Sequence, residues 1–181
     1  MKRIITILAL FLASGSVFAQ KKTTTSAVIA FDASTSLDNM PKAENKTAIG
    51  AIDTKTGSLA FEATVKNFTF SNPTMQGHFN GDRWLNSDTY PSFTFKGNIV
   101  DLSSVNFTKD GSYQTEAEGT LTVKGKEKKI KVPGTIVVKG ETISVSSNFT
   151  INVDDFDIAG TPINAGKVSS KPKIKVNAEF K

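Results

Sequence analysis

The chain has 181 residues, enough for one domain with a core of its own, and a formal net charge of +5. It has no cysteine and a single histidine, which excludes disulfide staples, thiol catalysis and thiolate metal centres. The two charges of Lys2 and Arg3 removed, the remaining side chains sum to +3, too weak and too dispersed for a nucleic-acid-binding face, so nucleic acid is not expected as a partner.

At the start of the chain, Lys2 and Arg3 precede an apolar run, Ile4 to Leu12, and Val17-Phe18-Ala19 forms a small-residue cleavage site before Gln20. This pattern predicts a secretory signal peptide over 1–19. The run is too short to span a membrane as a helix, and no cysteine follows it to carry a lipid. The expectation is a single domain over 20–181, exported to the periplasm in soluble form.

Beyond the leader the apolar residues recur with a period of two. Ala27, Ile29 and Phe31 alternate first. Leu59, Phe61, Ala63 and Val65 follow the turn Asp53-Thr54-Lys55-Thr56-Gly57. Phe93, Phe95 and Ile99 come next, then Tyr113, Ala117, Leu121 and Val123. A lysine-rich turn separates these from Ile130, Val132, Ile136 and Val138; the run KGKEKKIK from Lys124 to Lys131 reads as a solvated hairpin tip. Ile143 to Val153 alternates most regularly, and Ile174, Val176, Ala178 and Phe180 end the chain. Pro133 lacks a ladder donor and marks a bulge or an edge. The clustered Asp154, Asp155 and Asp157 lack the spacing of a calcium loop and read as turn residues. About eight strands, one face apolar and one wet, joined by Gly-, Asp- and Asn-rich turns, predict antiparallel sheet. Periodicity does not choose between a sandwich and a barrel.

The stretch Thr74 to Gly97 breaks this rhythm. It holds the only histidine, His78, the only tryptophan, Trp84, and Tyr90, one of two tyrosines. Asn72 suits a helix N-cap and Pro73 a first turn. A helix over Thr74 to Asn86 would place Met75, His78, Phe79 and Leu85 on one side and Trp84 on the other. Gly77 and Gly81 each weaken it by about 1 kcal/mol, so it would be held by its apolar face as a lid. His78 with Asp82 four residues on is an unspecific pair, and neither a catalytic nor a metal site is assigned.

Met75 to Ile99, MQGHFNGDRWLNSDTYPSFTFKGNI, resembles the signature of the YceI-like family, the lipid- and polyisoprenoid-binding proteins of bacteria. The matching positions are His78, Ser87-Asp88, Tyr90-Pro91 and Phe93-Thr94-Phe95-Lys96. Ala51 to Thr54, Gly119 to Gly125 and Asp155-Phe156-Asp157-Ile158 resemble further family segments in the same order. The resemblance implies an all-β fold: a single extended antiparallel eight-stranded lipocalin-like barrel with one or two short helical segments. It implies an exported lipid-binding protein holding a long isoprenoid chain, an isoprenoid quinone or polyprenyl lipid, for transport, storage or sequestration. The family is not known for a reaction of its own, so no enzyme activity and no catalytic cofactor are expected. The partners so implied are a polyisoprenoid or other long-chain lipid and transient membrane contact, for a monomer or homodimer. The candidate lipid-binding residues are Phe61, Met75, His78, Phe79, Leu85, Tyr90, Phe93, Phe95, Leu121, Phe149, Ile151 and Val176. His78, Arg83, Asp88 and Tyr90 are the polar groups expected at the mouth. Two alternatives stay open: a small outer-membrane barrel, and a hydrolase using His78. The candidate wall residues would equally fill a plain core.

Overall fold

The computed structural model describes residues 21–181; the expected leader, 1–19, lies outside them. The alternating segments form strands β1 (Lys21–Asp32), β2 (Lys42–Asp53), β3 (Ser58–Thr64), β5 (Ser92–Ile99), β6 (Gly111–Val123), β7 (Lys126–Lys139), β8 (Thr142–Thr150) and β9 (Lys173–Phe180). Each pairs antiparallel with its neighbour, and β1 pairs with both β9 and β2, so the eight strands close. Period-two alternation then puts one set of side chains inside and the other in water. A two-residue strand, β4 (Thr69–Phe70), adds to β2 at Ala43 and Glu44. Closure gives each of the eight strands a partner on both sides over at least part of its length.

All the tight turns but one lie at one end, the base, as does the longer connection of residues 100–110. Asp53 accepts from the amides of Lys55 and Thr56, and Gly57 completes that turn at φ +73°. The exception is the β6–β7 turn, where Lys124 and Gly125 both take positive φ, the geometry that matches strand twist in a two-residue hairpin. It lies at the other end, the mouth, together with three of the four longer connections. These are residues 33–41, residues 65–91 with helix α1 (Pro73–Asn80), and residues 151–172 with helix α2 (Thr161–Asn164).

Three expectations need correction. The strand through Val65 ends at Thr64, because Val65–Asn67 turns as a 3₁₀ helix to bring the chain across the mouth. Helix α1 begins as expected, with Asn72 accepting from the amides of Thr74 and Met75. It stops at Asn80 rather than Asn86, since Gly81 takes an extended conformation and Asn86 sits at φ +48°. Likewise β8 ends at Thr150, although Ile151 and Val153 still donate to Pro172 and Ser170. The aspartates at 154, 155 and 157 do lie on a turn, Val153–Phe156, which ends with Asp157 at φ +53°.

Burial is uneven along the barrel. Toward the base Ile52, Val138, Ile143 and Phe180 are at most 2 % exposed and pack solidly. Asn45 is fully buried yet satisfied: its amide donates to the Thr64 carbonyl, and its oxygen accepts from Thr47. It bridges β2 to β3 where their ladder has not begun. Toward the mouth the inward residues Phe31, Phe93, Phe95, Leu121, Phe149 and Ile174 are only partly buried.

Candidate functional site

Those half-buried inward side chains border a hollow. A cavity of about 160 Å³ runs from the mouth into the barrel as far as Leu59, Ile99 and Ile136, bounded by inward residues of seven of the eight barrel strands. Among its lining residues only Glu62, Thr94, Thr115, Ser147 and Ser169 are polar, and Glu62 and Thr94 stand at outward positions of their strands. Its size is close to the ~150 Å³ engineered apolar cavity that stays dry and takes up benzene. Nothing in it can hold water by several hydrogen bonds, so its natural occupant is apolar.

An aromatic cap covers the mouth. Phe79 of α1 meets Phe31 at 5.7 Å, Phe68 at 5.9 Å and Phe70 at 4.9 Å between ring centroids. Phe68 also meets Phe93 edge-on at 5.7 Å. Such edge contacts hold aromatic rings in place beyond simple burial. Helix α1 is therefore fixed by one ring in a nest of others rather than by its own propensity.

Beside the cap the wall has a seam. The β7–β8 ladder runs from Lys139↔Thr142 to Thr135↔Ser146 and stops. Beyond it β7 stays paired only with β6, and β8 only with β9. Pro133 sits at this parting, and its carbonyl accepts from the Ser147 hydroxyl at 2.6 Å, so the proline marks an edge. Ile130, Val132 and Gly134 on one side of the seam, and Phe149, Ile151 and Val153 on the other, all border the cavity. The turn 153–156 and its flanks roof the gap. Lys126 bonds Asp157 at 2.8 Å, Lys128 lies 3.6 Å from Asp155, and Lys124 donates to the Asp157 carbonyl at 3.3 Å. The hydrogen bond from Lys126, then its charge, holds the Asp157 carboxyl below its ordinary value, and the Lys126 ammonium is raised by the same contact.

Nine of the twelve candidate residues border this cavity: Phe61, Phe79, Leu85, Phe93, Phe95, Leu121, Phe149, Ile151 and Val176. Met75 packs against the core from α1 without bordering it. Tyr90 lies against the β6–β7 turn, its Cε1 2.7 Å from where a Cβ on Gly125 would sit. His78 is exposed on the outer side of α1. Arg83 and Asp88 are exposed as well, and Asp88 pairs with Lys66. Trp84 reverses the helical expectation. Because α1 ends before it, the turn held by the amides of Trp84 and Asn86 on the Gly81 carbonyl swings the indole inward, where it borders the cavity. Ile29, Phe31, Ile130, Val132 and Ile174 also border it; their alternation was the available signal. Phe68 carried none.

His78 and Asp82 are both exposed and share no hydrogen bond among the described residues. No group of three or more metal-ligating side chains is brought together among the described residues either. The outer faces of the long strands carry Lys, Glu, Gln, Ser and Thr, as at Gln114, Glu116, Glu118, Lys129 and Lys131. A membrane-spanning barrel has the opposite arrangement, apolar outside.

The domain model of the YceI-like family matches residues 15–180. Three crystal structures share the fold. A polyisoprenoid-binding domain from Saccharophagus degradans, implicated in plant cell wall breakdown, aligns with a TM-score of 0.75 at 15% identity, covering 90% of this chain and 98% of that one. BcnA of Burkholderia cenocepacia aligns at 0.71 and 19% identity over 84% of this chain and 95% of its own. The YceI protein of Campylobacter jejuni gives 0.53 at 20% identity over 100% and 99%. No curated protein sequence matches the chain significantly.

Proposed function

Since this chain belongs to the YceI-like family, we propose that it is an exported binding protein that holds the hydrocarbon part of a long isoprenoid lipid, a quinone or polyprenyl lipid, for transport, storage or sequestration. One observation carries this reading: an apolar-lined cavity of about 160 Å³, walled by inward phenylalanines and roofed by the short helix α1 rather than packed shut. The relative from Saccharophagus degradans, a polyisoprenoid-binding domain of the same fold, supports it. The lysine and arginine before the apolar run in 1–19 support export.

Binding here is a matter of area. Each 100 Å² of tail removed from water contributes about 2.5 kcal/mol, partly offset by the cost of association. The cavity accepts a short apolar segment as it stands. A longer tail needs the seam and the phenylalanine rotamers to yield, which leaves the polar end of the lipid at the mouth.

The test is to purify the protein from its own host, extract it with organic solvent and analyse the extract by mass spectrometry. A prenylated lipid near one per chain is expected, with a mature terminus at Gln20. Repeated extracts free of any prenyl or acyl lipid would overturn the reading. Trp84, the only tryptophan, borders the cavity, so added isoprenoid quinone should quench its emission.

A further inference from the structure

Resting on the lipid-binding reading, we propose that Phe61 is the depth stop of the cavity and sets the length of chain the barrel accepts. Phe61 is the largest side chain bordering the hollow toward its base, where Leu59, Ile99 and Ile136 also border it. Directly behind it stands Phe180, edge-on at 6.0 Å and 0% exposed, which does not border the hollow. Ile52, Val138 and Ile143, each at most 2% exposed, fill the barrel around Phe180 and do not border the hollow either. On this side of the barrel the limit of the hollow therefore falls between Phe61, which borders it, and Phe180, which does not.

The two rings come from strands that are not neighbours. In the closed order, β1 and β2 lie between β9, which carries Phe180, and β3, which carries Phe61. The contact spans the interior, and the residues of β1 and β2 beneath it are small. Ala27 and Ala48 are fully buried. Gly50 is the residue opposite Phe61 in the ladder, and a Cβ there would stand 2.8 Å from Phe61 Cε1. Two alanines and a glycine thus clear the space into which one phenylalanine reaches. Truncating that ring opens the way from the hollow toward the packed residues around Phe180.

The experiment measures the affinity of linear isoprenols that grow by one unit, geraniol, farnesol and geranylgeraniol, from Trp84 emission and by calorimetry. For the unaltered protein, the affinity should rise with length and then level off. In Phe61→Ala the levelling should move to the next longer alcohol, which gains about tenfold while shorter ones change less than about threefold. Phe61→Leu, which keeps an apolar side chain and protects the fold, should move it the same way by less. An unmoved limit in either folded variant, or equal weakening at every length, overturns the depth stop and leaves the lipid reading standing. Failure of the unaltered protein to bind any of the three overturns the lipid reading itself, and the stop with it.

Discussion

Lys126 and Asp157 meet at 2.8 Å across the part of the wall where β7 and β8 share no ladder. The lysine belongs to the first residue of β7 and the aspartate to the turn that roofs the seam. Both side chains are more than half exposed, so the pair adds little to global stability. Its position gives it another consequence. It ties an unladdered stretch of barrel wall to the segment that covers it, with Lys128 and Asp155 as a second, looser tie.

Asp157→Asn should therefore leave the melting temperature within about 2 °C while speeding lipid uptake and release a few-fold. Stopped-flow emission of Trp84 reads both. Raising the salt concentration should mimic the variant in the unaltered protein and do nothing further to Asp157→Asn. Equal exchange rates in the two proteins at low salt would remove the seam as the route.

The same tie sets a pH dependence. Asp157 is held below its unfolded value of 3.8 by the Lys126 hydrogen bond. A carboxyl of this kind supplies its stabilisation fully above the unfolded value and loses it as pH falls through the folded one. Exchange rates should be flat from neutral pH down to about 4 and climb below it, and the climb should be missing in Asp157→Asn.

Two glycines on neighbouring strands should respond in opposite ways. A Cβ on Gly119 would lie 2.4 Å from the Lys96 carbonyl oxygen and 2.6 Å from Gly97 Cα, so the chains of β5 and β6 approach too closely for any side chain. Gly119→Ala should destabilise by about 2–3 kcal/mol, measured by urea unfolding.

Gly134 faces the cavity, and the nearest atom to a Cβ there is the Ser146 carbonyl oxygen at 3.6 Å. Gly134→Leu should fold with unchanged or higher stability and bind isoprenols about tenfold more weakly, because its side chain takes the ligand's place. Calorimetry and a thermal melt on one sample separate the two effects.

His78→Ala should change neither lipid affinity nor stability by more than about 0.5 kcal/mol, since the ring is exposed and outside the cavity. A loss of affinity on titration would place the histidine in the site.

The strands, and which of their faces points inward, were legible in the residues alone. Phe93, Phe95, Leu121, Phe149 and Val176 border the cavity because a period of two leaves them no other side, and Asn72-Pro73 starts α1 as a cap and first-turn proline favour. Periodicity failed at Trp84, where extending a helix past Gly81 put the indole on the wrong side. It was silent on Phe68, which lies in a turn with no period to read. Lys126 and Lys128 read as solvated charges, and their aspartate partners lie some thirty residues further on, brought near only by the return of the chain over the seam.

By itself the sequence determined the alternation, the hairpins and a supply of apolar side chains for one interior, since these depend on neighbours along the chain. Tertiary structure alone decided that the sheet closes, that the β7–β8 ladder stops at Thr135, and that the interior fills around Phe180 while a hollow stays open from the mouth. A cavity is the difference between the space enclosed by the strands and the volume of the side chains within it. That difference is a property of closure and register, which no local pattern carries.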